Sequence, residues 1–392
     1  MNKLLRMENQ VQKYAWGTPD YIANLLQINK PIKEPWAELW LGSHPKASSV
    51  LTGLNLSLDK AIAQYPEQLL GETCATHFAQ KLPYLLKILS AKKPLSIQAH
   101  PNLEQAKSGF AKENKQNIAL TDFMRNYQDA NHKPELLCAL TEFHAMCGFR
   151  PATEIIGIIK QMEIDPLLMG FHEFADNPNV ANFKLVFTEI LNSRMEKKQQ
   201  LLAMVVRNLH LIQSEFIRNW IVKMLDFYPN DIGAIMPLFL NTFTLKPGEA
   251  IFLKAGVLHA YLEGTGVEIM ANSDNVLRGG LTSKNIDVAE LVSILDWEMQ
   301  EPEIQASGND QEIKEYHVPV PEFNLRKINL TKELTLPNSQ PTILMVIEGK
   351  AMVECDNEKQ ELKQGESLFV TGEAREIKLT GIASVFVASV NN

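Results

Sequence analysis

Residues 241–262 read NTFTLKPGEAIFLKAGVLHAYL, and this stretch decides the fold. Two short apolar runs, NTFTL and AIFL, flank a Pro-Gly-Glu turn, and a second glycine leads into LHAYL. Short apolar runs broken at Gly and Pro are the signature of strands joined by tight turns. The same arrangement returns near the end of the chain, where 364–372 reads QGESLFVTG, again a Gly-Glu turn feeding an apolar strand. The two segments read as a weak internal repeat of one β-barrel unit, not a solenoid. Residues 343–372 alternate between two faces of a sheet. Many short strands with such turns favour a jelly roll or cupin barrel.

Working outward, 1–150 has the same strand-and-turn texture, with a helix expected at Leu58–Leu70. From Pro151 to about Tyr228 the period changes. Phe183, Val186, Phe187, Ile190 and Leu191 recur at helical spacing, as do Leu201, Leu202, Val205, Val206 and Leu209, and then Phe216, Trp220 and Met224. Each set is one buried helix face. Thr153 is the expected N-cap of this module of about four helices. A short helix is expected at Val288–Leu295. The predicted fold is mainly β: cupin or jelly-roll barrels with an inserted α-helical domain. Residues 1–150 plus 229–300 would form a catalytic cupin-like unit, 151–228 the helical insertion and 301–392 a C-terminal barrel.

The chain has 392 residues, length enough for two or three cores, and no apolar run that would cross a bilayer. The N-terminus turns polar within a few residues and lacks a signal-peptide core. A cytoplasmic protein, with neither membrane nor nucleic acid as partner, is expected from this and from a net charge of −8. The four cysteines, Cys74, Cys138, Cys147 and Cys355, lie far apart and read as buried thiols. No coiled-coil heptad appears, and a monomer is expected. An anionic substrate would need a locally basic pocket against the acidic background.

In KPLSIQAHPN, Gln98 and His100 lie two apart on a predicted strand and leave one face. NHKPELLCAL places Lys133 and Glu135 at equal parity, and His259 lies late in the strand after the Gly-Glu turn. Their neighbours are apolar, and an unpaired buried polar group costs about 1–3 kcal/mol. Two imidazoles, one carboxylate and one amide oxygen form a set compatible with Zn²⁺. Spacing alone leaves open that they are separate hydrogen-bonded core residues.

The strings QKYAWG (12–17), AELWLGSHP (37–45), LPYLLKILSAKKPLSIQAHPN (82–102), NHKPE (131–135), CGFRP (147–151), GVLHAYLEG (256–264) and NSDNVLRGGLTSK (272–284) occur in this order. Together they resemble the ordered signature of type I mannose-6-phosphate isomerases, over nearly the whole chain. Ala99 and Gly279 depart from the pattern by small changes. The resemblance implies a zinc-dependent interconversion of mannose 6-phosphate and fructose 6-phosphate, with one Zn²⁺ per chain. It implies that Gln98, His100, Glu135 and His259 are the ligands and that Arg278 is an active-site arginine. Two rivals are a metal-dependent cupin dioxygenase, which gives the Arg278/Lys284 pair no task, and a non-catalytic sugar-phosphate-binding cupin.

The reaction moves a proton between C1 and C2 through an enediol, whose developing oxyanion needs stabilising charge. Lys133 is expected to shuttle that proton, the alternative being an ion-pair role beside Glu135. Arg278 is expected to grip the enediolate or the phosphate, and Lys284, Ser96 and Ser43 to complete a phosphate site. Asp274 would pair with His100 or a bound water to assist ring opening, or form an Asx turn. Glu268 would orient Lys133 or another basic group. His44, His77, His132, His144, His172, His210 and His317 read as structural or surface, and Trp16, Trp36 and Trp40 as core. Lys87, Lys92 and Lys93 read as a solvated edge that discourages strand pairing.

Overall fold

The computed structural model describes residues 1–28, 33–308 and 310–391. Its strands form two sheets, one of eleven strands and one of ten. The eleven-stranded sheet is organised around His259–Ala271. The second half of that strand is antiparallel to Tyr84–Ala91 on one side and Glu135–Ala139 on the other. Its first half pairs with Ile97–Ala99 and Phe143–Phe149. One long strand therefore joins both walls of the barrel, and residues opposite one another in these ladders share a face.

The ten-stranded sheet holds the C-terminal strands, with Thr342–Cys355 and Glu376–Ser389 paired along most of their lengths. The repeat seen in the sequence has a common turn geometry. At 246–249 and again at 363–366 the lysine N–H donates to the glutamate Oε2 at 2.8 Å, and the glutamate N–H returns to the lysine carbonyl at 2.9 Å. Gly248 (φ 88°) and Gly365 (φ 83°) occupy the left-handed position that such a turn needs.

The sheets cross the expected unit boundaries, and two helix expectations need correction. The strand Leu4–Glu8, read as part of the catalytic unit, pairs with Ser367–Val370 in the C-terminal sheet, and Val50–Leu51 and Leu56–Ser57 extend that edge. Conversely, Ile304–Gln305 pairs with Ala250–Leu253 in the first sheet. The stretch 58–70 is two helices, Leu58–Gln64 and Pro66–Leu70, because Pro66 disfavours a helical Tyr65 and restarts the chain at a first-turn position. Thr153 is inside its helix, which begins at Ala152 after Pro151.

The inserted segment carries the helices Ala152–Gln161, Phe171–Asp176, Val180–Asn192, Met195–Asn208 and Glu215–Phe227. Asn179 caps the third of these by accepting from the Asn182 N–H at 3.0 Å. Its predicted face, Phe183 to Leu191, is buried, and Phe149 and Trp297 of the barrel pack among those rings. The two sheets share a core that includes Leu5, Leu86, Ile343 and Phe386. Across it the Tyr84 hydroxyl reaches the carbonyls of Pro341 and Ala388 at 3.0 Å.

Candidate metal centre and active site

Ladder register builds the site. Gln98 lies opposite His259 on one side and Arg278 on the other, so the three side chains rise from one face of neighbouring strands. His100 follows two residues later on the same face. Glu135 opens its own strand opposite Met270. The consequence is convergence: His100 Nε2 and His259 Nε2 each lie 3.4 Å from a different oxygen of Glu135. The Gln98 amide lies 3.5 Å from His259 Nε2, and a half-turn of that amide presents its oxygen there. His100, Glu135 and His259 are 3%, 1% and 1% exposed.

Both imidazoles are held in the tautomer a metal needs. A carbonyl only accepts, so Nδ1–H of His100 donates to Asn275 O at 2.7 Å and that of His259 to Val257 O at 2.9 Å. Each Nε2 lone pair is thereby left facing Glu135. Burial and then the Lys133 charge lower the His100 pKa to about 4, so its ring is neutral near pH 7. Burial alone would raise the Glu135 carboxyl, but Lys133 and His100 outweigh it and hold it well below the usual range. Among the described residues, His100 Nε2 and Glu135 Oε2 have no hydrogen-bond partner. Two buried orphans at the centre of an N/O donor set are what a divalent cation satisfies. These residues fit zinc.

Above this set opens a cleft of about 520 Å³, whose walls include Tyr14, Trp40, His44, Lys46, Lys87, Lys133, Asp274, Arg278 and Lys284. The four donors do not line it; Lys133 connects the two levels, lining the cleft with its Nζ 3.0 Å from Glu135 Oε1. Arg278 and Lys284 line the cleft, whereas Ser43 and Ser96 do not. Lys46 joins the cations instead. The Arg278 charge, burial and Lys46 all lower the Lys284 pKa. Cations that destabilise one another across a common space are arranged for an anion.

Other expectations change in detail. Asp274 does not pair with His100, whose partner is the next residue's carbonyl. Its carboxylate lies 2.9 Å from Lys46 Nζ and 3.5 Å from His44 Nε2. Burial would raise its pKa, yet His44 and Lys46 bring it below the carboxylate range. His44, read as structural, therefore belongs to the cleft wall. Lys87 is no solvated edge: its strand is paired on both sides, and Nζ lies 3.0 Å from Glu268 and 3.5 Å from Glu38. Glu268 thus serves Lys87, and Trp40 Nε1–H donates to Glu38 at 2.8 Å. Lys92 is exposed and pairs with Glu263. His132 turns away from the cleft to Glu322 of the C-terminal half, at 2.6 Å.

Three family models match: phosphomannose isomerase type I, catalytic domain, over 4–152; its helical insertion domain over 158–240; and the mannose-6-phosphate isomerase cupin domain over 312–390. Mannose-6-phosphate isomerase of Salmonella typhimurium is 39% identical, with 97% of each chain covered. The Homo sapiens enzyme of that name is 32% identical, with 94% of each covered. A variant of the Salmonella typhimurium phosphomannose isomerase superposes with a TM-score of 0.93 at 36% identity, over all of both chains. A mannose 6-phosphate isomerase structure bound with zinc and yttrium gives 0.92 at 37%, again over both whole chains.

Proposed function

This chain belongs to the type I mannose-6-phosphate isomerase family, and on that premise we propose how its own residues interconvert mannose 6-phosphate and fructose 6-phosphate. The observation that carries the reading is the pair of tautomer-locked imidazoles aimed at a buried carboxylate beneath a cationic cleft. Gln98, His100, Glu135 and His259 would hold the ion. Zinc, one per chain, supplies Lewis acidity toward the sugar's O1 and O2 when bound.

Lys284 and Lys46 take the phosphate at the cleft wall, where Arg278 adds a fixed planar charge. Asp274 and His44, 3.5 Å apart, are the acid–base pair for opening the sugar ring. Lys133 Nζ faces the cleft from above Glu135 and takes the proton from C2 of the aldose. It returns that proton to C1, while a proton passes from O2 to O1 and the ketose forms. Arg278 stabilises the negative charge that develops on the enediolate oxygens. Glu268 and Glu38 hold Lys87 in the same wall.

The division into a catalytic unit, a helical insertion at 151–228 and a C-terminal barrel is kept, with the N-terminal strand lent to the last. We take the enzyme as a cytoplasmic monomer acting on a small anion, without nucleic-acid or membrane partners. Among the described residues no helix is long and apolar enough to cross a membrane. The test is Lys133→Met: a coupled isomerase assay should lose turnover while metal analysis finds zinc unchanged. Near-normal turnover would refute the assignment of the proton to Lys133.

A further inference from the structure

Asn275 has 0% exposure and serves two elements at once. Its carbonyl accepts the Nδ1–H of His100 at 2.7 Å. Its side-chain Oδ1 accepts the N–H groups of Gln128 and Asp129 at 2.7 and 3.2 Å. Its Nδ2 donates to the carbonyls of Asp129 and Asn131 at 2.9 and 2.8 Å. The amide's donors and acceptor are all used, and every one of these bonds crosses to the segment that runs into Lys133 and Glu135. Asp129 returns the clasp: Oδ2 accepts from the Asp274 N–H at 2.8 Å and Oδ1 from the Ser273 hydroxyl at 2.9 Å.

We propose that Asn275 is the positioning residue that couples the metal ligands to the proton-transfer lysine, its side chain clasping the Lys133 segment while its carbonyl sets His100. The proposal rests on the metal-dependent reading above. A hydrogen-bonded partner behind a ligating imidazole fixes both the ring's orientation and the nitrogen left free. Here the carbonyl's direction is held by a side chain anchored on another loop. If that anchor is lost, His100 and Lys133 lose register together. Alanine offers none of these side-chain bonds. Aspartate keeps the acceptor, loses both donors and brings a second carboxylate toward Asp129, within reach of the 3.3 Å contact the amide now makes.

The test uses full-length protein, with zinc affinity from chelator competition, the d–d spectrum after cobalt(II) substitution, and separate kcat and KM. Asn275→Ala and Asn275→Asp should each bind zinc at least ~10-fold more weakly. Their cobalt spectra should shift, and kcat should fall with KM nearly unchanged. Asn208→Ala removes a buried amide bond in the helical segment, to Met162 O, and should leave all three readouts unchanged. If the alanine variant does not fold, the isosteric aspartate decides. Parental zinc affinity and cobalt spectrum in the variants would overturn the coupling. A parent that binds no zinc would overturn the metal-dependent reading itself, and the proposal with it.

Discussion

Lys87→Met removes the cation that lies between Glu38 and Glu268 in the barrel wall. Lys87 and Glu268 are 6% and 2% exposed, and their 3.0 Å pair is backed by Glu38 at 3.5 Å. Methionine matches the lysine stem in volume, so the change isolates the charge. Removing one partner of a buried ion pair costs about 3–5 kcal/mol. Glu38 keeps its Trp40 donor, which favours the lower end, about 3 kcal/mol at pH 7. The pH dependence is the sharper signature. Burial already raises the Glu268 pKa above its ordinary 4.5 despite Lys87, and without that charge it rises further. The folded variant then holds a proton that the unfolded chain releases as pH climbs through 4.5. Stability is therefore full below that value and falls as pH rises toward the folded pKa, by up to ~1.4 kcal/mol per pH unit. Urea titrations at pH 7 and 5.5 should show the deficit, variant against parent, shrinking at the lower pH, by at most ~2 kcal/mol. Lys87→Met with Glu268→Leu should regain most of the loss, since well-packed apolar pairs replace buried ion pairs at little cost. A deficit below ~1 kcal/mol, or one indifferent to pH, would refute the reasoning.

Two further outcomes test other parts of the molecule. Lys46→Met and Lys284→Met should each raise KM for the sugar phosphate roughly 5–10-fold, a loss of about 1–1.4 kcal/mol of charge-assisted contact, with kcat nearly unchanged; initial rates also report whether added salt erodes the parental advantage. Tyr316 ties the C-terminal half to the first barrel, its hydroxyl donating to Gly248 O at 2.8 Å and receiving the Cys138 thiol at 3.1 Å. Tyr316→Phe leaves that buried carbonyl without its donor and should cost about 1–2 kcal/mol in denaturant titration with activity retained.

What the sequence made legible was local. The helix face 183–191, the two Gly-Glu turns and the parity of Gln98 with His100 each depend on residues a few positions apart. What it hid was mostly pairing across the chain. Lys87 looks like Lys92 and Lys93 in any window, and only the fold brings Glu38 and Glu268 to it. His44 gained its place through Asp274, and Leu4–Glu8 has no feature that announces its pairing with Ser367–Val370. One miss was avoidable. Leu103–Lys115 is a helix with a capping box between Asn102 and Gln105, a signal readable in PNLEQ.

Charge balance explains why this barrel can be polar inside. Glu38, Glu135 and Glu268 face Lys87 and Lys133, while the His100 ring is neutral. Three carboxylates against two ammonium groups leave one negative charge in a region that tolerates none unpaired. A divalent cation at the histidine–glutamate cluster reverses that sign and turns a costly interior into one that favours an anion. Lys46, Arg278 and Lys284 extend the positive potential to the cleft wall, against a chain whose net charge is −8. Metal and substrate phosphate are thus bound to one electrostatic problem: each carboxylate that keeps a lysine in the wall also sets how strongly the interior calls for the ion. Weakening Lys87 or Lys133 should therefore tighten the hold on the cation even as turnover falls, the opposite sign to a simple loss of structure.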